Sequence, residues 1–211
     1  MLTAIIDYSS GNLHSAHKAF EKITASHNLG AVVVTSDPKI ISSADRLVLP
    51  GDGAFPSCKS ELTASEAYEA LVYSVVEKSR PFLGICVGMQ LMAVKSYEYQ
   101  ETDGLGWIDG EVRKIKPKDK SLKIPHMGWN TLNIECSHPI FDCIQNGDHV
   151  YFVHSFQMMM KKQEQRLAYT DYGTDITAVV GKENMVGLQF HPEKSGHIGL
   201  KMIENFLSWS P

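Results

Sequence analysis

Short apolar runs that end in turn-forming residues, separated by segments of helical period, set the fold of the N-terminal half of this chain. Leu2 to Asp7 stops at Tyr8-Ser9-Ser10-Gly11-Asn12, and Leu13 to Ile23 then carries Leu13, Ala16, Ala19, Phe20 and Ile23 at helical spacing. That pattern predicts a strand, a loop and a helix. Ala31 to Thr35 repeats the strand signal, Ser36-Asp37-Pro38 has the form of a helix start with proline just inside it, and Arg46 to Leu49 predicts a third strand. Ala64 to Lys78 predicts one amphipathic helix through Ala67, Leu71, Val72 and Val75; after Arg80-Pro81 an apolar run leads as a buried strand into Cys86. Parallel strands need crossover connections, so the alternation predicts an α/β fold, a mainly parallel central sheet flanked by helices. Ligands of such sheets sit beyond the carboxyl ends of the strands, so the loops that follow them are the candidate site.

The character changes after Leu91. Gly104 to Gly110, the basic segment Arg113 to Lys123 and Thr131 to Ile134 predict shorter strands and loops, added to the sheet in antiparallel fashion. Pro125-His126-Met127-Gly128-Trp129-Asn130 places large apolar side chains in an expected loop. A buried anchor and a partner-facing surface both fit it. Val150 to Phe156, Ala168 to Asp171, Thr177 to Val180 and Met185 to Phe190 predict further strands, and Ile198 to Trp209 a closing helix.

The 211 residues suffice for one substantial core, and no repeat, low-complexity tract or linker divides them, so residues 1–211 are expected to form one domain. Lys plus Arg number 20 against 24 Asp plus Glu, a net charge of -4. A nucleic-acid or anionic-membrane partner would want clustered excess base, and neither is expected. The start Met1-Leu2-Thr3-Ala4-Ile5-Ile6-Asp7 has no basic region followed by a long apolar run, and no window approaches the ~20 apolar residues of a membrane span. Cys58, Cys86, Cys136 and Cys143 are widely scattered, with no pair at metal-ligand spacing. That usage suits a reducing cytoplasm, with no metal expected and Cys58, Cys136 and Cys143 structural or incidental.

Cys86 stands apart because glycines flank it at both second neighbours, in Gly84-Ile85-Cys86-Val87-Gly88-Met89-Gln90. A nucleophile on a strand-to-helix turn needs small neighbours, and the helix N-terminus favours its thiolate. It also needs a base, and the base needs a third group to orient it. His14, His17, His27, His138, His149 and His197 sit in polar surroundings, whereas His126, His154 and His191 lie in or beside strand signals. Of these, His191 has a carboxylate two residues on, and in an extended segment Glu193 would lie on the same side as the imidazole. The oxyanion of an acyl transfer needs two donors, which the N–H of Val87 and an N–H from Gly51 to Gly53 would supply. Residue chemistry alone thus reaches a cysteine hydrolase or amidotransferase.

The Gly84 to Gln90 segment, the Pro50-Gly51-x-Gly53 loop and the terminal His191-Pro192-Glu193 together resemble the triad (class I) glutamine amidotransferases. More narrowly, Asp7-Tyr8-x-Ser-Gly-Asn-Leu13, Pro125-His-Met-Gly-Trp-Asn130, Tyr151-Phe-Val-His-Ser155 and His191-Pro-Glu-Lys-Ser195 are similar to the glutaminase subunits of imidazole glycerol phosphate synthase. The resemblance runs from Ile6 to the last helix. It implies glutamine hydrolysis without a cofactor, with Cys86 as nucleophile, His191 as base and then acid, and Glu193 as orienter. It further implies that Gln90 and Ser155 hold glutamine and that Gly51, Asp52 and Gly53 form the oxyanion strand. Ammonia would pass to a (β/α)₈ cyclase subunit during histidine biosynthesis, with Asn12, Met127, Trp129, Tyr151 and Lys194 facing that partner.

The sequence departs from the pattern at two positions. Asp52 stands where the family commonly has an aliphatic residue, and its carboxylate would oppose a developing oxyanion if it pointed inward. It is therefore expected to face solvent or a basic partner. Ser15 replaces a frequent Asn at the edge of the expected interface. Two competing readings remain: the glutaminase of an amidotransferase making pyridoxal phosphate or guanine nucleotides, and a catalytically idle binding subunit of the same fold.

Overall fold

The computed structural model describes residues 1–211. The first half alternates as predicted, with one helix added after the third strand: β1 (Leu2–Ile6), α1 (Leu13–His27), β2 (Ala31–Thr35), α2 (Pro38–Ser43), β3 (Arg46–Gly51), α3 (Phe55–Ala64), α4 (Ala67–Val72), β4 (Phe82–Cys86) and α5 (Val87–Leu91). The second half is strand-rich: β5 (Ala93–Ser96), β6 (Thr102–Asp103), β7 (Ile108–Lys114), β8 (His126–Thr131), β9 (Asn133–Ile134), β10 (His149–His154) and β11 (Phe156–Met160). Then come β12 (Arg166–Asp171), β13 (Asp175–Lys182), β14 (Met185–Leu188) and the closing helix α6 (Gly196–Ser208).

The central sheet has the order β2-β1-β3-β4-β14-β13-β12-β9. The strands from β2 to β14 run parallel, and β13, β12 and β9 extend the sheet antiparallel. Strand β14 comes late in the chain yet lies beside β4, with Leu188 opposite Ile85 and, on the other side of β4, Gly51 of β3 opposite Cys86. This register gathers the ends of β3, β4 and β14 at one edge, as the crevice rule for parallel sheets requires. A four-stranded sheet, β11-β7-β5-β6, and a two-stranded ribbon, β10-β8, complete the fold. One continuous apolar cluster runs through the central sheet and reaches Ile108, Val112 and Met158 of the four-stranded sheet.

Three local expectations change. The helix expected from Ala64 to Lys78 is broken: α3 ends at Ala64, Ser65 takes an extended conformation, and α4 runs on into a wide turn over Tyr73–Glu77. Helix α3 is not expected from sequence: it has a proline in its first turn and buries a narrow stripe, Phe55, Cys58 and Leu62 at i, i+3 and i+7. The Pro125–Asn130 segment is not a loop, since His126 begins β8, paired antiparallel with β10. Gly128 and Asn130 masked the strand; its alternation leaves Met127 and Trp129 exposed and His126 buried. Lastly, Val150 to Phe156 is not one strand. It breaks at Ser155 into β10, which pairs with β8, and β11, which pairs with β7.

Candidate active site

Cys86 is the last residue of β4 and adopts φ 55, ψ -111, an unfavourable conformation for a side chain with a Cβ. Such strain costs about 1–3 kcal/mol and persists only where the surroundings over-determine it. Here they do, because the turn is pressed against β3. A Cβ on Gly88 would collide with the Leu49 carbonyl oxygen, one on Gly84 would lie 2.7 Å from the Gly88 oxygen, and one on Gly51 2.9 Å from the Gly88 nitrogen. The three glycines that flank the cysteine and the facing loop are thus required by close backbone approach. Val87 opens α5, so its N–H has no intrahelical acceptor and stays available at the turn.

Cys86, Val87, Gln90, Asp52, Gly53, Ser155, His191 and Lys194 line one pocket of about 430 Å³. Glu193 stands behind the imidazole, its Oε1 2.8 Å from His191 Nδ1. The expected geometry of that pair needs correcting. Only His191 is extended; Pro192–Lys194 forms a 3₁₀ turn with proline at its first position, where its fixed φ and missing N–H are tolerated. The turn, not a strand alternation, swings Glu193 under the ring. Burial pulls the His191 imidazole toward the neutral form, but hydrogen bonding to Cys86 and Glu193 and their charge outweigh it and push its pKa up to about 10. With Nδ1 committed to Glu193, Nε2 is left for the cysteine.

The loop after β3 is tied down from β1's side. Tyr8 Oη donates to the Pro50 carbonyl at 2.9 Å, and Ser10 Oγ to the Asp52 carbonyl at 3.0 Å. Burial pushes the Tyr8 phenol up, which keeps it a donor. Cys58 is not incidental: its sulfur lies 3.2 Å from Ser10 Oγ and extends that tie. Asp52 itself is exposed, and Gly53 holds φ 119, which a side chain would resist.

Gln90 is buried, and its Nε2 gives both hydrogens away, to the Phe156 carbonyl at 3.1 Å and to Gln189 Oε1 at 2.9 Å. Only its Oε1 remains for a ligand. Gln189 in turn places its Nε2 3.9 Å from Cys86 Sγ. Of three further groups at or beside the pocket, Gln189 and Glu98 carry no expectation from sequence, and His154 is named there only among the histidines in or beside strand signals. Gln189 sits two residues before His191 with no motif of its own; the His154 ring lines the pocket wall; and Glu98 brings a largely buried carboxylate to it. Burial raises the Glu98 pKa, partly offset by the Phe55 N–H it accepts at 2.8 Å. Its signal was the carboxylate framed by aromatics in Tyr97-Glu98-Tyr99. No three His, Cys, Asp or Glu side chains converge in a metal-binding arrangement.

The residues expected to meet a partner lie outside this lining, apart from Lys194. Asn12 caps α1 by accepting the Ser15 N–H at 3.2 Å, so its carbonyl oxygen is already used and Ser15 contributes its backbone there. Met127 and Trp129 are 64% and 57% exposed, large values for such side chains. Tyr151 packs edge-on against Trp129, opposite it in the ribbon.

Residues 4–209 match the family model described as glutamine amidotransferase class-I. The chain belongs to that family. Among curated relatives, the imidazole glycerol phosphate synthase subunit HisH of Ruegeria pomeroyi is 61% identical, with 100% of each chain covered. The subunit of the same name from Cereibacter sphaeroides is 52% identical, again over 100% of both. Among solved structures, a glutamine amidotransferase of Thermotoga maritima superposes with a TM-score of 0.61 at 18% identity, covering 92% of this chain and 76% of that one. This last likeness concerns the fold. No helix of this chain is long and apolar enough to cross a membrane.

Proposed function

We propose that this amidotransferase hydrolyses glutamine on Cys86 and passes the ammonia to a (β/α)₈ cyclase that forms imidazole glycerol phosphate. The observation that carries the chemistry is a cysteine on a strained turn sharing one pocket with a buried histidine whose second nitrogen is held by Glu193. Cys86 loses its thiol proton to His191 Nε2, and the sulfur attacks the δ-carbon of glutamine. The N–H of Val87 and an N–H of the Gly51–Gly53 strand receive the oxyanion, each donor lowering the barrier by ~3 kcal/mol. Collapse breaks the carbon–nitrogen bond as His191 returns the proton to nitrogen, leaving ammonia and a γ-glutamyl thioester. Water then adds to the thioester, giving one proton to His191. Cleavage of the carbon–sulfur bond releases glutamate, and the sulfur recovers its proton.

Glutamine would be held at its α-ammonium by acceptors, for which the Glu98 carboxylate and Gln90 Oε1 are suited, with Ser155 at the wall between β10 and β11. The partner reading is supported by the full-length likeness to relatives named as synthase subunits and by the exposed Met127 and Trp129, beside Tyr151 on the ribbon. Asn12 and Lys194 would flank that patch, with Lys194 at the pocket's rim. Exposure of Asp52 leaves its backbone for the oxyanion strand and its carboxylate for solvent or a basic partner group.

The test is trapping and complementation. A glutamine-analogue electrophile should form an adduct on Cys86, whereas no adduct would favour an idle binding subunit. Cys86→Ala should abolish glutamine use while free ammonia still feeds the cyclase; loss of both would make the residue structural. Stimulation of ammonia release by a cyclase of the imidazole-forming type, and not by a synthase of pyridoxal phosphate or guanine nucleotides, would fix the acceptor.

A further inference from the structure

Two further histidines are buried here, His154 in the pocket wall and His126 behind it, and the catalytic steps above do not use them. His126 on β8 and His154 on β10 face each other across the ribbon, Nδ1 of His126 lying 3.0 Å from Nε2 of His154. Their rings are 2% and 7% exposed. His126 is sandwiched between Phe152, at 4.7 Å, and Tyr172, at 4.1 Å. Buried polar rings of this kind need every hydrogen bond satisfied.

The direction of every bond in this cluster follows from its ends. His154 Nδ1 lies 2.8 Å from the Phe156 carbonyl oxygen, which can only accept, so Nδ1 carries a hydrogen. In a neutral ring Nε2 is then the acceptor, and His126 Nδ1 must donate to it. His126 Nε2 in turn accepts from Asn130 Nδ2 at 3.2 Å, whose other hydrogen goes to the Asp171 carbonyl at 2.8 Å. The amide cannot turn over, because its Oδ1 accepts the Thr131 N–H at 2.8 Å. A proton added to His126 would point at the Asn130 amino group, and one added to His154 at the His126 N–H. The groups facing the pair are His191, across from His154, and the Tyr172 phenol over His126; no carboxylate bonds to either ring. Burial accordingly lowers the pKa of His126 to about 4 and, with the neighbouring imidazoles, that of His154 to about 3.

The Phe156 carbonyl that ends this relay is the same atom that accepts from Gln90 Nε2. We infer that His126 and His154 are positioning residues of the glutamine pocket: locked as Nδ1–H tautomers, they fix the Phe156 carbonyl and through it the Gln90 amide. The inference rests on the reading of this pocket as the glutamine site. It gives two adjacent pocket groups, the Phe156 peptide and the Gln90 carbonyl oxygen, a common anchor outside the triad.

The test uses the full chain and an electrophilic glutamine analogue, whose half-saturating concentration and limiting rate of Cys86 alkylation are measured separately. In His126→Leu the relay loses its donor, and the half-saturating concentration should rise about tenfold, the worth of roughly one buried hydrogen bond, while the limiting rate changes less than about twofold. His126→Gln, whose amide can donate to His154 and accept from Asn130, should restore binding. Equal binding by His126→Leu and the wild type, or Gln as harmful as Leu, would overturn the inference. If the wild type shows no saturable alkylation of Cys86, the glutamine-site reading itself fails and takes the inference with it. Nitrogen-15 spectra of the unmodified chain give an independent check that needs no variant to fold. Both rings should be neutral and protonated at Nδ1, and an Nε2–H His154 would contradict the proposal.

Discussion

Two pairs of buried side chains border the same pocket, and they treat protons in opposite ways. His191 is pushed up to about 10, whereas His126 and His154 are lowered to about 4 and about 3. Burial acts downward on all three, so burial does not separate them. What differs is the partner: His191 faces a carboxylate and the Cys86 sulfur, whose hydrogen bonds and charge favour its cationic form, while the ribbon histidines face each other, an amide and a carbonyl. In the proposed reaction the same residue type thus serves as a proton carrier on the β14 side and, in the proposed relay, as a fixed hydrogen-bond group on the β8–β10 side.

Removing the proton carrier's partners should have the largest effect. Cys86→Ala should lower glutamine turnover by roughly 10⁵-fold or more, as loss of a nucleophile does elsewhere, and the His191 pKa should fall toward an ordinary value, read by NMR titration. Next, Glu193→Gln should cost roughly 10³- to 10⁴-fold in kcat by freeing the wrong tautomer of His191. A variant that keeps full kcat would remove Glu193 from the triad.

Stability against pH probes both sides together. The ribbon histidines hold protons less tightly than an unfolded histidine near about 6.5, so their contribution to stability is present above that pH and is lost as pH falls toward about 4 and about 3. His191 acts in reverse: its contribution is full below about 6.5 and is lost as pH rises through about 10. Denaturant midpoints should therefore fall on both flanks. A His126→Leu variant that still folds should lose part of the acid dependence only, and an unchanged acid limb would contradict the low proton affinity of the pair. The smallest effect is expected from Tyr172→Ala, which uncovers one face of His126 and should raise its pKa by less than about one unit, again visible by NMR.

The two pairs also differ in how far they could be read in the sequence. His191 and Glu193 are two residues apart and follow an apolar run, so a local pattern pairs them, although a 3₁₀ turn and not extended chain joins them. His126 and His154 are 28 residues apart and meet only through the β8–β10 register, which no local pattern encodes. The parallel half of the sheet was legible because β1, β3 and β4 are buried on both faces, and these and the half-buried edge strand β2 are all punctuated by turn residues. Strands β5 to β8 were not: β5 and β6 are only four and two residues long, Gly110 interrupts β7 and Gly128 β8, and β7 and β8 find β11 and β10 far along the chain. Glycines 51, 84 and 88 were noticed for a tight turn; that they let β3 and α5 touch emerged only from the packing.

Ser155 has a mechanical consequence. The chain crosses there from the β8–β10 ribbon to the four-stranded sheet without a connecting loop, and the crossing point is also a wall of the pocket. The ribbon's other exit is equally short, Leu132 between β8 and β9, and β10 is bonded to the segment after β14: the His191 N–H donates to the Tyr151 carbonyl at 3.0 Å and the Tyr151 N–H to Ser195 Oγ at 2.9 Å. Tyr151, packed on the exposed Trp129, is thus a single hydrogen bond away from the backbone of His191, so a displacement of the ribbon would reach His191 as well as the Ser155 wall.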